Sequence, residues 1–205
     1  MSYLASHQRR LTLAAAAVAT TLLIGVAPGT AGASTACTSG PQSTPFAQFG
    51  DEALYSPIPG GSFESGAAGW SLTNAEVASG NESYEVAGGS HSLAIQPEGV
   101  AVSPVFCVTP ADPTVRFFAR QTSGNSASLN VSLRWTDATG ASHRAALGSV
   151  DGTSSWQPTP ILRLATAVPV WPPSQSVAVQ LAFKPKQSGG AWAIDDVYMD
   201  PQGRG

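Results

Sequence analysis

The sequence predicts an all-β sandwich of two antiparallel sheets with roughly eight to ten strands. Short apolar segments alternate with turn clusters rich in Gly, Pro, Asn and Asp from Gly66 to Gly190. Inside several of these segments apolar and polar residues alternate strictly, as in strands with one buried and one solvated face. No stretch after residue 33 has a convincing amphipathic helical period. Together these observations favour strands throughout the folded part of the chain.

The clearest predicted strand covers residues 127–137. Segments 177–183 and 115–120 repeat its alternation, so we expect the three to be neighbouring or facing strands of the sandwich. Their predicted buried faces consist of Leu129, Val131, Leu133 and Trp135, of Val177, Val179, Leu181 and Phe183, and of Val115, Phe117 and Ala119.

The first 33 residues predict a secretory signal peptide. Arg9 and Arg10 give a basic start, an apolar run follows over 11–26, and Ala31-Gly32-Ala33 supplies small residues for cleavage. A permanent membrane anchor is the weaker interpretation, because two threonines interrupt the apolar run and no stop-transfer pattern follows. We therefore expect a secreted, extracellular protein with no stable membrane anchor.

The mature chain is long enough for one domain with its own core, since cleavage leaves 205 − 33 = 172 residues. Loss of Arg9 and Arg10 from 10 basic residues leaves 8 against 13 acidic ones, a formal net charge of −5. This mildly acidic balance argues against nucleic acid or an anionic membrane as a partner. We expect a monomer with an N-terminal arm over 34–61, the sandwich over 62–200 and a tail over 201–205.

The arm is predicted to be extended but tied to the domain. Bulky residues such as Phe46 and Tyr55 stand among its Ser, Thr, Pro and Gly, and a free linker does not usually carry them. Cys37 and Cys107 are the two cysteines of the chain, and export favours a disulfide between them. Chain-entropy arguments give closure of such a long loop a contribution of about 4 kcal/mol.

Two short segments at opposite ends of the mature chain carry carboxylates that half-buried strands do not tolerate alone. The first is Gly61-Ser62-Phe63-Glu64, and the second is Trp192-Ala193-Ile194-Asp195-Asp196-Val197. An unpaired buried charge costs several kcal/mol, so each carboxylate needs a partner. Two such acidic segments indicate one shared cation, and calcium is the cation that prefers carboxylate and carbonyl oxygens. The alternative is a carboxylate that merely accepts backbone N–H bonds at a strand end.

Three further features accompany the acidic segments: Gly69-Trp70, Ser90-His91-Ser92-Leu93 and Trp156. With them the chain resembles carbohydrate-binding modules of the family 4/9/22 type, which are jelly rolls of the galactose-binding-like superfamily. The resemblance covers residues 61–200. With the arm included, the chain also resembles secreted proteins of actinobacteria.

The family resemblance implies a structural calcium between the first and last strands. Its ligands are expected to be Glu64, a main-chain or hydroxyl oxygen of Ser90, and Asp195. Alternation along a regular strand places Asp195 on one face with Val197 and Asp196 on the other, so only one carboxylate of the pair faces the metal by its side chain. We favour Asp195.

A glycan site is predicted on the solvated faces of the strands, where aromatic rings stack on sugars and polar groups read their hydroxyls. Arg116, Phe118 and Arg120 offer a basic groove around one exposed phenylalanine, which polar residues of neighbouring strands extend if the strands adjoin. Trp171, held between prolines, is a candidate stacking residue on a loop. The expected ligand is a polysaccharide or cell-wall glycan, acidic or heavily hydroxylated. The alternatives are a plain solvated face with Phe118 covered by the arm, and a packing role for Trp171.

Catalysis is not expected from this sequence. A glycosidase needs two free carboxylates about 5 to 10 Å apart, which Glu64 and Asp195 do not provide if they bind calcium. After signal removal His91 and His143 are the remaining histidines, and neither lies in a recognisable nucleophile motif. The alternatives to glycan binding are a secreted protein-interaction or structural sandwich protein and, behind it, a secreted glycoside hydrolase.

Overall fold

Antiparallel strands make up most of the computed structural model. The described residues are 40–108, 113–124, 128–137, 139–164, 176–186 and 190–201. Within them a 3₁₀ turn at Ala47–Phe49 precedes eleven strands. These are β1 (Ser56–Pro57), β2 (Ser71–Ser79), β3 (His91–Val102), β4 (Phe106–Val108), β5 (Thr114–Gln121), β6 (Ser128–Thr136), β7 (Ser142–Asp151), β8 (Gln157–Pro158), β9 (Leu162–Arg163), β10 (Val177–Pro185) and β11 (Trp192–Asp200).

The strands form one curled sheet with the order β7-β6-β10-β3-β11-β5-β8. The long strand β3 joins its two layers, because Ile95 in its first half pairs with β11 and Val102 near its end pairs with β10. Strands β7, β6 and β10 form one layer, here termed the β6 layer. Strands β11 and β5, with β1, β8 and β9 at their edges, form the β5 layer. The all-β, jelly-roll prediction is confirmed.

The main core lies between these two layers. Phe117 of β5 and Phe183 of β10 meet edge to face, with ring centroids 5.2 Å apart. The buried faces predicted for the three strands are confirmed, although Trp135 and Val177 are only partly buried. The face of β5 that was predicted to be solvated is instead covered, with Phe118 in a second core. Residues on the predicted buried faces that reach the core are Leu129, Val131, Leu133, Val179, Leu181, Val115 and Ala119.

The two acidic segments lie side by side, as the sequence predicts. The N–H of Val197 donates to the carbonyl of Gly61 at 3.0 Å, and the N–H of Ile58 donates to the carbonyl of Val197 at 2.9 Å. A Cβ on Gly61 would stand 2.8 Å from the Val197 carbonyl oxygen, which is too close for any side chain. Glycine at residue 61 therefore allows the chain before β2 to pack directly on β11.

The N-terminal arm, described here from residue 40, folds back over the outer face of the β5 layer instead of running extended. It turns at Ala47–Phe49, and its strand β1 pairs with β11. Burial of bulky apolar side chains holds it there. The second core beneath the arm consists of Phe46, Tyr55, Phe118, Trp156, Ala193 and Tyr198.

Several predictions concern residues outside the described part of the chain. They include the signal peptide over 1–33, Trp171, and Cys37. Cys107 in β4 is disulfide-bonded. Among the described residues, no helix has the length and hydropathy that a membrane span requires.

Candidate functional site

Four carboxylates gather where the loop between β2 and β3, residues 80–90, passes over β11. Three are almost completely buried: Glu82 is 1%, Asp195 0% and Asp196 2% exposed. Glu64 lies at the rim of this group, here termed the carboxylate cluster. Among the described residues, the salt bridge to the cluster comes from His91, whose Nδ1 lies 3.3 Å from Glu64 Oε2. The cluster therefore brings four carboxyl groups together with one histidine as their salt-bridge partner among the described residues.

Backbone N–H groups of the loop hold the buried carboxylates in place. The N–H of Glu82 donates to Asp195 Oδ2 at 3.0 Å, and the N–H of Ala87 donates to Asp196 Oδ2 at 3.1 Å. The carboxylate of Glu82 itself accepts two N–H bonds at 2.5 Å, from Tyr84 and Val86. The loop is thus wrapped around the carboxylates, which remain acceptors with unused lone pairs.

The predicted ligands Glu64 and Ser90 do come together, but they do so through a hydrogen bond from the Ser90 backbone to the Glu64 carboxylate. The N–H groups of Ser90 and His91 donate to the Glu64 carboxylate at 2.9 and 2.7 Å. The Ser90 carbonyl accepts the N–H of Gly80 at 2.8 Å. A Cβ on Gly89, whose φ is +124°, would stand 2.1 Å from the Glu64 carboxyl carbon. Only glycine at residue 89 therefore lets Glu64 reach this backbone.

The buried aspartates have strongly perturbed acidities. Burial and then the neighbouring Asp196 charge raise the pKa of Asp195 to about 8. Burial, with the Glu82 and Glu64 charges, raises the pKa of Asp196 to about 6. In contrast, the N–H bond from Ser90 lowers the pKa of Glu64. Without a nearby cation, burial therefore favours the protonated form of each aspartate, whereas a nearby positive charge would favour the ionised form.

The predicted orientation of the aspartate pair is wrong beyond Asp195. Asp196 adopts a left-handed backbone with φ +48°, and the register with β5 shifts between Asp195 and Tyr198. This bulge inverts the alternation, so Val197 enters the main core while Tyr198 joins Ala193 beneath the arm. Both carboxylates consequently belong to the cluster, and Asp196 is the one that interacts with the charge of Glu64.

The donor chemistry of the cluster fits calcium, because carboxylates and loop carbonyls are hard oxygen ligands. The side chains do not converge on a single point. Within the described residues, no group of three or more His, Cys, Asp or Glu is arranged to hold a metal ion. The sequence does not predict a role for Glu82, because this residue stands in a turn-rich stretch whose pattern gives no sign of burial.

The groove predicted around Phe118 is not open, and this part of the prediction is wrong. Phe118 is 0% exposed and packs against the rings of Phe46, Phe49 and Tyr84 at centroid distances of 5.4, 5.7 and 5.5 Å. The alternative, that the arm covers Phe118, is what the structure has. Phe118 therefore acts as the centre of the second core.

The two arginines that flank Phe118 contact residues of the arm and of the second core. Arg116 Nη1 lies 2.6 Å from Asp51 Oδ2, and its guanidinium stacks 4.6 Å over the Phe46 ring. Arg120 stacks 5.0 Å over the ring of Trp156. None of these contacts forms a groove that a glycan can enter.

The open polar face lies on the other layer. A cavity of about 510 Å³ crosses the outer side of β7, β6 and β10. Arg144, Arg134 and Gln180 form one row across the three strands, because Arg134 pairs with both of the others. The cavity is also lined by Thr136, Ser142, Ala178 and the 59%-exposed Val105. The sequence predicted the solvated side of β6 and β10 but missed β7, most of whose residues are exposed, so that its alternation is weak.

The fold is similar to that of solved carbohydrate-binding modules. The family 22 module and catalytic domain of Clostridium thermocellum xylanase 10B, complexed with xylohexaose, match 67% of this chain and 27% of that chain, with 14% identity and a TM-score of 0.50. The family 22 xylan-binding domain of Paenibacillus barcinonensis Xyn10C matches 70% of this chain and 93% of its own, with 14% identity and a TM-score of 0.49. A family 61 module complexed with β-1,4-galactotriose matches 69% of this chain and 95% of its own, with 15% identity and a TM-score of 0.45. No protein-family model and no curated protein matches the sequence. At these identities the similarity shows the fold alone.

Proposed function

We propose that this chain is a secreted, non-catalytic carbohydrate-binding module whose glycan site is the cavity on the β6 layer. The observation that carries the proposal is the contrast between the two outer faces. The arm seals the β5 layer over Phe118, whereas the β6 layer presents a polar cavity of about 510 Å³. Such a cavity has the size of known small-ligand sites, and it lies on rigid, paired strands.

The lining of the cavity suits binding and not hydrolysis. Arg134, Arg144 and Gln180 supply hydrogen-bond donors, and Thr136 and Ser142 add hydroxyl groups that match those of a sugar. None of the described lining residues is Asp or Glu, so this described lining does not offer the carboxylate pair that glycoside hydrolysis uses. Three of the four carboxylates of the cluster are buried, and Asp195 and Asp196 accept backbone N–H bonds.

Calcium and a disulfide complete the proposal. Glu64, Asp196 and the loop around Glu82 would hold the calcium, with Asp195 ionised behind them. Its role there is to neutralise buried negative charge and fix the loop on β11. Cys107 would be joined to Cys37, which ties the arm to β4, and the signal peptide would direct the chain to the oxidising exterior that this bond requires.

Retention on a panel of soluble and insoluble polysaccharides, with calcium present, tests the proposal. We expect selective retention on one glycan class. Ala178→Trp, which fills the cavity without removing a polar group, should abolish it. The size-matched control is Ser149→Trp, an exposed residue of β7 that does not line the cavity. Retention on no glycan would overturn the proposal in favour of a protein-interaction or structural role, and retention unaffected by Ala178→Trp would move the site elsewhere.

A further inference from the structure

We infer that the glycan recognised by this cavity carries carboxylate groups, as in a polysaccharide of uronic acids. The inference rests on the proposed function and specifies its ligand. It starts from two arginines, Arg134 of β6 and Arg144 of β7, which are directly opposed in the antiparallel register. Directly opposed residues have Cβ atoms about 4.5–5.5 Å apart, and like charges in such positions destabilise a sheet. A ligand anion would remove this repulsion.

No described residue of the protein neutralises the two arginines. Within the described part of the chain neither forms a salt bridge, although Arg116 in the other layer has a carboxylate partner in Asp51. The chain as a whole has more acidic than basic residues, 13 against 10. Two unpaired arginines facing each other in a cavity are therefore not explained by a general excess of positive charge.

The geometry leaves the arginines able to bind an anion. Arg144 Nε donates to Ser132 Oγ at 3.1 Å, which orients its guanidinium on the sheet and leaves its Nη groups for a ligand. Gln180 sits beside Arg134 in the same row, and its Nε2 donates to the Ser103 carbonyl at 2.8 Å. Arginine side chains recognise carboxylates through paired N–H donors in a plane.

The density of charge on the ligand must be moderate. A nucleic acid carries one negative charge per about 1.7 Å of duplex, and its binding relies on many basic contacts. Here two arginines stand on a chain with a net charge of −3, so a densely charged polymer would be repelled by the rest of the surface. A polysaccharide with one carboxylate per sugar has a lower charge density than a nucleic acid, and two arginines suit it better.

The test uses the full mature chain with calcium, and measures affinity for polygalacturonate, fully methyl-esterified pectin, xylan, galactan and a sulfated galactan. We expect binding to polygalacturonate that is lost on methyl esterification, which removes the charge and keeps the sugar. Arg134→Gln and Arg144→Gln should each weaken it about tenfold. The control Lys186→Gln makes the same charge change at an exposed residue beyond the cavity and should leave affinity within about twofold.

The outcomes separate this inference from the proposed function. Binding to neutral xylan or galactan that is unchanged in Arg134→Gln would overturn the inference and leave the carbohydrate-binding function standing. Equal affinity for the sulfated galactan would overturn the carboxylate assignment. Binding to none of the five would overturn both. Because Arg134→Gln relieves a repulsion, its melting temperature should equal or exceed that of the parent, which separates lost binding from lost folding.

Discussion

The ion pair between Arg116 and Asp51 should contribute strongly to stability, because it is buried beneath the arm. Only 11% of the Arg116 side chain and 5% of the Asp51 side chain are exposed, so solvent screens the 2.6 Å contact weakly. Removing one partner from a buried pair leaves an uncompensated charge and costs about 3–5 kcal/mol. Asp51→Ala also removes the acceptor of the Tyr55 hydroxyl, which donates to Asp51 Oδ2 at 2.9 Å. We expect the free energy of unfolding to fall by at least about 3 kcal/mol.

Urea denaturation followed by tryptophan fluorescence measures this loss. The double variant Asp51→Leu with Arg116→Met should recover most of it, since an apolar pair of similar volume avoids the desolvation of both charges. Asp151→Ala is the control, because Asp151 is exposed and should cost less than about 0.5 kcal/mol. If Asp51→Ala cost less than about 1 kcal/mol, the pair would behave as a surface salt bridge, and the arm could not be clamped as the structure shows.

Three further predictions concern the carboxylate cluster. Calcium should raise the melting temperature, a chelator should reverse the rise, and Asp196→Asn should remove the response; a melt indifferent to chelator in the parent protein contradicts the calcium proposal. Because burial raises the folded-state pKa of Asp195 above its ordinary value of 3.8 to about 8, this group's stabilisation of the calcium-free protein is complete below about pH 4 and is lost as pH rises to about 8. Calorimetry at pH 5 and pH 8 should show the larger calcium effect at pH 8. Gly89→Ala should cost about 1–3 kcal/mol more than Gly88→Ala, whose Cβ would meet nothing within 4 Å, and equal costs would contradict the close approach of Glu64.

The strands were the most predictable part of the fold. Alternation depends only on residues two positions apart. The buried face of β6, with Leu129, Val131 and Leu133, can therefore be predicted without knowing which strands pair with β6. The meeting of the two acidic segments was also predictable, since a glycine at residue 61 and a strand that carries paired aspartates fit the family resemblance. The alternation is a local signal, whereas the meeting of the two segments followed from the resemblance, and the structure confirms both.

Assignment of strands to layers could not be predicted in the same way. Arg116, Phe118 and Arg120 alternate as clearly as Asn130, Ser132 and Arg134, yet β5 and β6 lie in different layers and never pair. Which outer face is open depends on where the arm docks, and that depends on the fit of Phe46 against Phe118 across many intervening residues. The sequence analysis expected one groove across these polar sides if the strands adjoined, whereas the structure has one outer face sealed by the arm and one with a cavity.

The aspartate pair shows why site residues are harder to assign than core residues. A single left-handed residue, Asp196, inverts the alternation of β11, and the cost of that backbone is about 1–3 kcal/mol. The same bulge lets two consecutive carboxylates enter one cluster, which a regular strand forbids because successive side chains point to opposite faces. A strained backbone that gathers buried negative charge is stable only with a compensating partner. In this structure the loop N–H groups supply part of that compensation, and under the proposal calcium supplies the rest, so replacing Asp196 by asparagine, which also adopts a left-handed backbone, should remove the metal and keep the bulge.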